Sequence, residues 1–213
     1  MMDQLGDALL RGKAQEVVTC VTDALAQGMS AEAILNQGLC KGMEEVGDRF
    51  RSGQFFVPQV LLAARAMQKG LELLKPHLVA AGVKPVGTAV IGTIQGDLHD
   101  IGKNLVGMML EGAGFRVVDA GVGVKPATFV ELAQKNEAQI IGVSALLTTT
   151  MIHMRGVVEA VRATGAKCKV MIGGAPVTQS FCDEIQADGY SADAASAAKL
   201  ALRLVGVVAK ETP

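Results

Sequence analysis

Over the first 80 residues the apolar positions return every three or four places. Beyond residue 88 the rhythm changes to short apolar runs parted by amphipathic stretches. The early pattern predicts helices over 3–10, 13–27, 31–50 and 58–78, separated by Gly12, by Gly28 with Ser30 as a candidate N-cap, and by "SGQFFVP". In the last of these, Val60, Ala64, Met67, Leu71 and Leu74 alternate spacings of four and three, which lines one face of a helix. Pro58 suits its first turn, where a main-chain N–H would go unpaired anyway. Four short helices on short turns predict an antiparallel four-helix bundle. "AAGVKPVG" (80–87) then breaks the helical pattern with glycine and proline. The expected organisation is a helical domain over 1–80, a linker over 81–87 and a second domain over 88–213.

In that second domain the apolar runs are "TAVIGTI" (88–94), "RVVDAG" (116–121), "QIIGVSAL" (139–146), "KVMIGG" (169–174) and a weaker "GYSA" (189–192). Helical patterns fill 101–113, 126–136, 150–164, 177–187 and 193–209. Strands that alternate with helices imply a parallel sheet, because parallel neighbours need crossover connections. The fold expected is α/β: a flavodoxin-like, doubly wound, five-stranded parallel sheet of order 2-1-3-4-5, preceded by the helical bundle.

Composition narrows the function classes. Half of the residues are hydrophobic and 19% are charged, as in a packed globular protein. A formal net charge of −1 offers no positive field to nucleic acid or to an anionic membrane. No apolar run approaches the roughly 18 residues that span a bilayer. The start "MMDQLGDALLRGKAQEVV" lacks the basic-then-apolar order of a signal peptide, so a cytoplasmic protein is expected. Cys20, Cys40, Cys168 and Cys182 form no C-x-x-C pair and read as small buried residues. Met108, Met109 and Met171 read as core filling. Three of the six phenylalanines (Phe50, Phe55, Phe56) crowd into seven residues.

The chemistry gathers at one edge. In a sheet of this order ligands bind beyond the carboxyl ends of the strands, and strands 1, 3 and 4 are neighbours. The loop after strand 1 carries "GDLHDIGKN" (96–104), which spends one of only three histidines. The loop after strand 3 carries "SALLTTT" (144–150), and the loop after strand 4 carries "GGAPV" (173–177). A phosphate-binding loop is not indicated, because G-x-x-x-x-G-K-[ST] is absent. A phosphorylated receiver domain would need an acid after strand 3, where this chain has Ser144 and threonines. Taken singly, His99 also fits a helix-capping role, and Gly173–Gly174 also fits a plain turn.

Taken together, Asp97-x-His99-x-x-Gly102, 41 intervening residues, Ser144-x-Leu146, 26 more, and Gly173–Gly174 resemble the cobalamin-binding signature of base-off, His-on corrinoid proteins. With the helical part included, the whole chain resembles the corrinoid proteins of methyltransferase systems: the methanol, methylamine, glycine betaine and methoxyaromatic corrinoid proteins and the cobalamin module of methionine synthase. The resemblance implies that His99 is the lower axial ligand of cobalt, replacing the cofactor's own dimethylbenzimidazole. Imidazole is a good ligand for such a metal, and its basicity depends on what its other nitrogen contacts. By the same resemblance Asp97 accepts that second N–H and Thr150 hydrogen-bonds the acid, giving an Asp97–His99–Thr150 proton relay. That relay would follow the cobalt's demand for a lower ligand, which is high in methyl-Co(III) and absent in Co(I).

The remaining assignments also follow from the resemblance. Leu98, Asp100 and Ile101 surround the ligand, and Thr148 lies at the corrin edge. Gly102, Gly173 and Gly174 leave a slot for the displaced nucleotide tail, which Ser144 and Leu146 line. Tyr190 corresponds to a residue near the buried end of the tail, although a core role suits it equally. "MEEVGDRFRSGQFFVPQVLLAA" (43–64) resembles a four-helix cap over the upper, methyl-bearing face of the cofactor, with Met43, Val46, Gly47, Phe50 and Phe56 facing it or filling the bundle core.

The implied function is a methyl carrier whose cobalamin, loaded as methylcobalamin, shuttles between Co(I) and methyl-Co(III). One partner is a substrate-specific corrinoid methyltransferase. Another is a second methyltransferase to a C1 acceptor such as tetrahydrofolate or coenzyme M, and a third is a reductive activator of Co(II). The chain has no barrel for either substrate, so it is expected to be a subunit rather than a complete enzyme. Two alternatives share the motifs. One is the small cobalamin subunit of a radical mutase, which the helical cap argues against. The other is a cobalamin-sensing regulator, which would need a DNA-binding module for which no residues are spare.

Overall fold

Leu5, Ala8 and Leu9 fall three and four residues apart. In the computed structural model, which describes residues 1–207, they are buried along one side of helix α1 (Met2–Leu10). Val17, Val21 and Ala24 do the same for α2 (Ala14–Ala26). Ser30 caps the next helix as its sequence suggests, its hydroxyl accepting from the Ala33 N–H at 3.2 Å. In α5 (Val57–Ala80), Val60, Ala64, Met67 and Leu74 are buried as predicted, while Leu71 is only half-buried. Within this helical part α1 packs on α2, and α2 packs on α5.

The predicted helix over 31–50 is continuous but not uniform. A short α3 (Ala31–Ala33) leads into a π-helical stretch, Ile34–Cys40, before α4 (Lys41–Arg51). The buried positions explain it. Ile34, Gly38, Gly42 and Val46 recur every four residues. In an ideal α-helix each such step drifts by about 40° around the axis. A wider turn takes up the surplus and keeps these residues facing inward.

The second part is the expected sheet. Strands β1 (Thr88–Thr93), β2 (Arg116–Asp119), β3 (Ile140–Ser144), β4 (Lys169–Gly173) and β5 (Gly189–Ser191) pair in parallel in the order β2-β1-β3-β4-β5. The central strands read as near-continuous apolar runs because helices cover both faces. One face buries Val90, Ile141, Val143 and Ile172 against Phe129 of α7 (Pro126–Lys135) and Val157 of α9 (Met154–Thr164). Register aligns the strand ends: Thr93 pairs with Ser144, Ser144 with Gly173 and Gly173 with Ser191. The row that finishes the strands is therefore the row that opens the three loops singled out above.

Elsewhere the differences from expectation lie at element ends. Strand β2 stops at Asp119 rather than 121. The helix predicted over 150–164 is two pieces, α8 (Thr148–Met151) and α9, broken at Ile152–His153. Helices α6 (Ile101–Gly112), α10 (Gln179–Ile185) and α11 (Ala194–Leu204) complete the fold, and residues 208 and 209 of the predicted last helix lie outside the described residues. The chain divides into two units, one comprising Met1–Pro85 with Gly112–Gly114, the other Val86–Glu111 and the chain from Phe115 on.

Candidate functional site

Asp97 is the centre of the site. It follows β1 on an irregular stretch that runs up to α6, and its side chain is fully buried. Oδ1 accepts from the His99 main-chain N–H at 3.1 Å and faces His99 Nδ1 at 2.7 Å. Oδ2 accepts from the Leu146 N–H at 2.8 Å, the Leu147 N–H at 3.3 Å and the Thr150 hydroxyl at 2.8 Å. One carboxylate thus joins the loop after β1 to the loop after β3 and to α8. The three residues expected to form a relay are one hydrogen-bonded chain, His99–Asp97–Thr150.

This environment favours the ionised form of Asp97. Burial alone would push the Asp97 carboxyl up. The Leu146 N–H, the His99 side chain, the Thr150 hydroxyl and the His99 N–H outweigh it and hold the acid well below the usual carboxylate range. An ionised carboxylate only accepts, so Nδ1 of a neutral His99 carries the proton and donates it. Nε2 then keeps its lone pair. Among the described residues Nε2 has no hydrogen-bond partner, and the imidazole is half exposed.

Around it lies an apolar rim. Leu98 and Ile101, at 76% and 73% exposure, flank the histidine, and Leu146 joins them from the loop after β3. Three more exposed residues, Val122, Leu147 and Ile152, sit on loops at the same edge of the sheet, and sequence reasoning did not single them out. Val122 lies in the β2–α7 loop, whose "GVGV" offers no reactive group to draw notice. Thr148 is exposed at the start of α8, and the Asp100 carboxylate accepts from Asn104 Nδ2 at 3.1 Å in the first turn of α6.

The glycines differ in kind. A Cβ on Gly102 would meet open space. A Cβ on Gly173 would lie 3.0 Å from the Ser191 carbonyl oxygen, and one on Gly174 would lie 1.8 Å from that of Ala145. Gly174 also has φ 125°, a region that residues with a side chain rarely adopt. Neighbouring backbone therefore demands glycine at 174 and crowds a side chain at 173, whereas Gly102 faces neither constraint. Ser144 is half-buried beside this row. Tyr190 pairs with Ile172 and packs, partly buried, against the core.

The other candidates belong to the helical unit. Met43, Val46 and Gly47 are buried on α4, Phe50 is half-buried, and Phe56 is 65% exposed just before α5. Arg49 lies over the Phe55 ring, 5.5 Å from its centre, which accounts for one member of the phenylalanine cluster. All four cysteines are free, and no group of three metal-ligating side chains occurs among the described residues. No helix is long and apolar enough to cross a membrane.

Residues 87–199 match one family described as a B12 binding domain, and residues 1–75 match a second family with the same description. A dimethylamine corrinoid protein of Methanosarcina acetivorans is 41% identical over 96% of this chain and 97% of its own length. A trimethylamine corrinoid protein of Methanosarcina mazei is 44% identical over 89% of this chain and 95% of its own. A chain in the crystal structure of the methanol:cobalamin methyltransferase complex from Methanosarcina barkeri superposes with a TM-score of 0.85 at 31% identity, covering 96% of this chain and 79% of that one.

Proposed function

Since the chain belongs to the B12-binding corrinoid proteins of methyltransferase systems, we propose that it is a methyl carrier holding cobalamin base-off, with His99 as the lower axial ligand. One observation carries the reading: Asp97 claims the Nδ1 proton at 2.7 Å and leaves the Nε2 lone pair exposed within an apolar rim. A corrin ring needs such a surface, with one nitrogen donor at its centre. The open space over Gly102 suits the nucleotide tail that His99 would displace. The residues present therefore fit the group.

When bound, cobalamin supplies a cobalt centre that takes up a methyl group and gives it away. The chain's part is to hold and tune. Asp97 fixes the tautomer and the ring plane of His99, and its negative charge makes Nε2 a stronger donor. As the demand on Nε2 rises, the Nδ1 proton moves toward Asp97 Oδ1, and as the demand falls it returns. The Thr150 hydroxyl and the Leu146 N–H hold the opposite oxygen, so the carboxylate keeps its place whichever way the proton lies.

The helical unit serves the same cofactor, a reading supported by the B12-binding description of the family that residues 1–75 match. In this reading its cofactor-facing residues serve the upper, methyl-bearing face, and the partners are a substrate-specific methyltransferase and a second methyltransferase. A reductive activator returns Co(II) to service, and the system works in the cytoplasm. The test is reconstitution of the full chain with cob(II)alamin. One equivalent should bind, with a histidine nitrogen on cobalt and the benzimidazole displaced. His99→Ala should lose that nitrogen while retaining some cofactor. Benzimidazole remaining on the cobalt in the wild type would overturn the assignment.

A further inference from the structure

His99 is held at its main chain as well as at its ring. Its N–H goes to Asp97 Oδ1, and its carbonyl accepts from the hydroxyl of Thr93 at 2.8 Å. Thr93 is the last residue of β1 and fully buried. Its own backbone is locked: its N–H donates to the Gly121 carbonyl at 3.0 Å, and its carbonyl accepts from Val124 at 2.9 Å. The Gly123 N–H donates to the Asp97 carbonyl at 2.9 Å, so the β2–α7 loop grips both Thr93 and Asp97. That loop is anchored in turn by Asp119. Its Oδ1 accepts from the Gly121 N–H at 2.8 Å, and its Oδ2 pairs with the ammonium of Lys103. Lys103 is 3% exposed, and among the described residues its ammonium pairs with Asp119, whose own side chain is half exposed.

These contacts have a direction. The stretch Asp97–Asp100 has no helix or ladder of its own, yet it carries the imidazole. With N–H and carbonyl both tied, the ring keeps only its two side-chain torsions, and Asp97 fixes those. We propose that Thr93 is a positioning residue for the axial ligand, with the Lys103–Asp119 pair holding the loop that holds Thr93. The inference rests on His99 being that ligand. Thr93 carries nothing in its sequence neighbourhood to mark this role, and Lys103, though inside the 96–104 stretch, is marked by no partner there.

The experiment compares wild type, Thr93→Val, Thr93→Ser and His99→Ala, each loaded as the full chain with aquocobalamin and titrated with cyanide at fixed pH. Excess cyanide replaces the lower ligand, and the dicyano absorption band reports the exchange. The midpoint measures how firmly the histidine is held even where ligation is complete. Losing one net hydrogen bond should lower the midpoint of Thr93→Val roughly fivefold. Thr93→Ser keeps the hydroxyl and drops the methyl, so it should titrate like wild type. Lys103→Met, which removes the anchor without touching His99, should also lower the midpoint. A Val midpoint equal to wild type, or Ser and Val shifted alike, would overturn the positioning role. Wild type titrating like His99→Ala would instead remove the ligand assignment beneath it.

Discussion

Asp97→Asn tests the site most sharply, because it changes one charge and almost no shape. The amide can place its oxygen toward Leu146, Leu147 and Thr150, or toward His99. In the second orientation its NH₂ meets the Leu146 and Leu147 N–H groups and leaves at least one buried donor unpaired. In the first, the NH₂ faces the His99 N–H and Nδ1, so Nδ1 must give up its proton to accept, and the proton goes to Nε2. This orientation is the cheaper, because the His99 side of the site reaches solvent. Its cost can be counted. Two charge-assisted bonds at 2.8 Å, from the Leu146 N–H and the Thr150 hydroxyl, become neutral ones, and one donor faces another at His99. At about 1 kcal/mol for each change, the loss is about 3 kcal/mol. That corresponds to a fall in melting temperature of about 10 °C for a unit of this size. The ligand suffers more, since a protonated Nε2 has no lone pair to give. Thermal melting of the apo-protein and the nitrogen splitting of bound cob(II)alamin read the two effects separately. The penalty should also shrink in acid. The wild-type carboxylate is depressed in the folded state, so its stabilisation is complete above the unfolded value near 4 and is lost as pH falls toward the folded one. A variant that melts within a degree of wild type and keeps its nitrogen ligand would refute both the tautomer argument and the role of Asp97.

Other expectations follow from the same contacts. Gly102→Leu should fold with unchanged or slightly higher melting temperature, since helix α6 gains a better former, yet lose most of its affinity for complete cobalamin. Gly174→Ala should be destabilised by more than about 3 kcal/mol in chemical denaturation before any ligand is added, because its Cβ would overlap the Ala145 carbonyl. Val46→Ala should cost about 1–3 kcal/mol by urea unfolding, as for a fully buried side chain, whereas Phe56→Ala should leave apo-stability within about 0.5 kcal/mol and hasten photolysis of bound methylcobalamin. Cys40 should resist thiol-specific reagents at pH 8, because burial pushes its thiol up to about 11.

Much of the fold was legible because the two periods are clean. Helical spacing ends near residue 80, and strand-like runs begin near 88. The order β2-β1-β3-β4-β5 implied by the alternation of those runs with helices places Asp97, Ser144 and Gly173 at one edge, as the structure does. What escaped was local geometry that a linear pattern averages away. The four-residue recurrence of Ile34, Gly38, Gly42 and Val46 reads as an ordinary helix, and only packing shows that a wide turn is needed to sustain it. The break at Ile152–His153 has a similar origin. His153 Nδ1 lies 3.1 Å from the Gln95 carbonyl, a long-range bond that no window of sequence contains.

At the site itself, residue type announced chemistry only where chemistry needs a special atom. Asp97 and His99 stood out as an acid and a scarce histidine on a turn. Thr93 did not, because a threonine ending a strand is ordinary, and its role lies in one bond to a carbonyl six residues on. The glycines show the opposite confusion. Gly102, Gly173 and Gly174 look alike in sequence, and all three fit a slot without side chains. In the structure, the Ala145 backbone already requires the last, and the Ser191 carbonyl crowds the second. Substitution of Gly174 would damage the fold whether or not a tail ever enters, and a large side chain at Gly173 would press on Ser191, so failure to bind cobalamin could not be assigned to the slot. Gly102 has no such neighbour. It is the second residue of α6, and among the described residues no close approach calls for glycine there. The space it leaves open is therefore where a ligand's contribution can be measured apart from the protein's own packing.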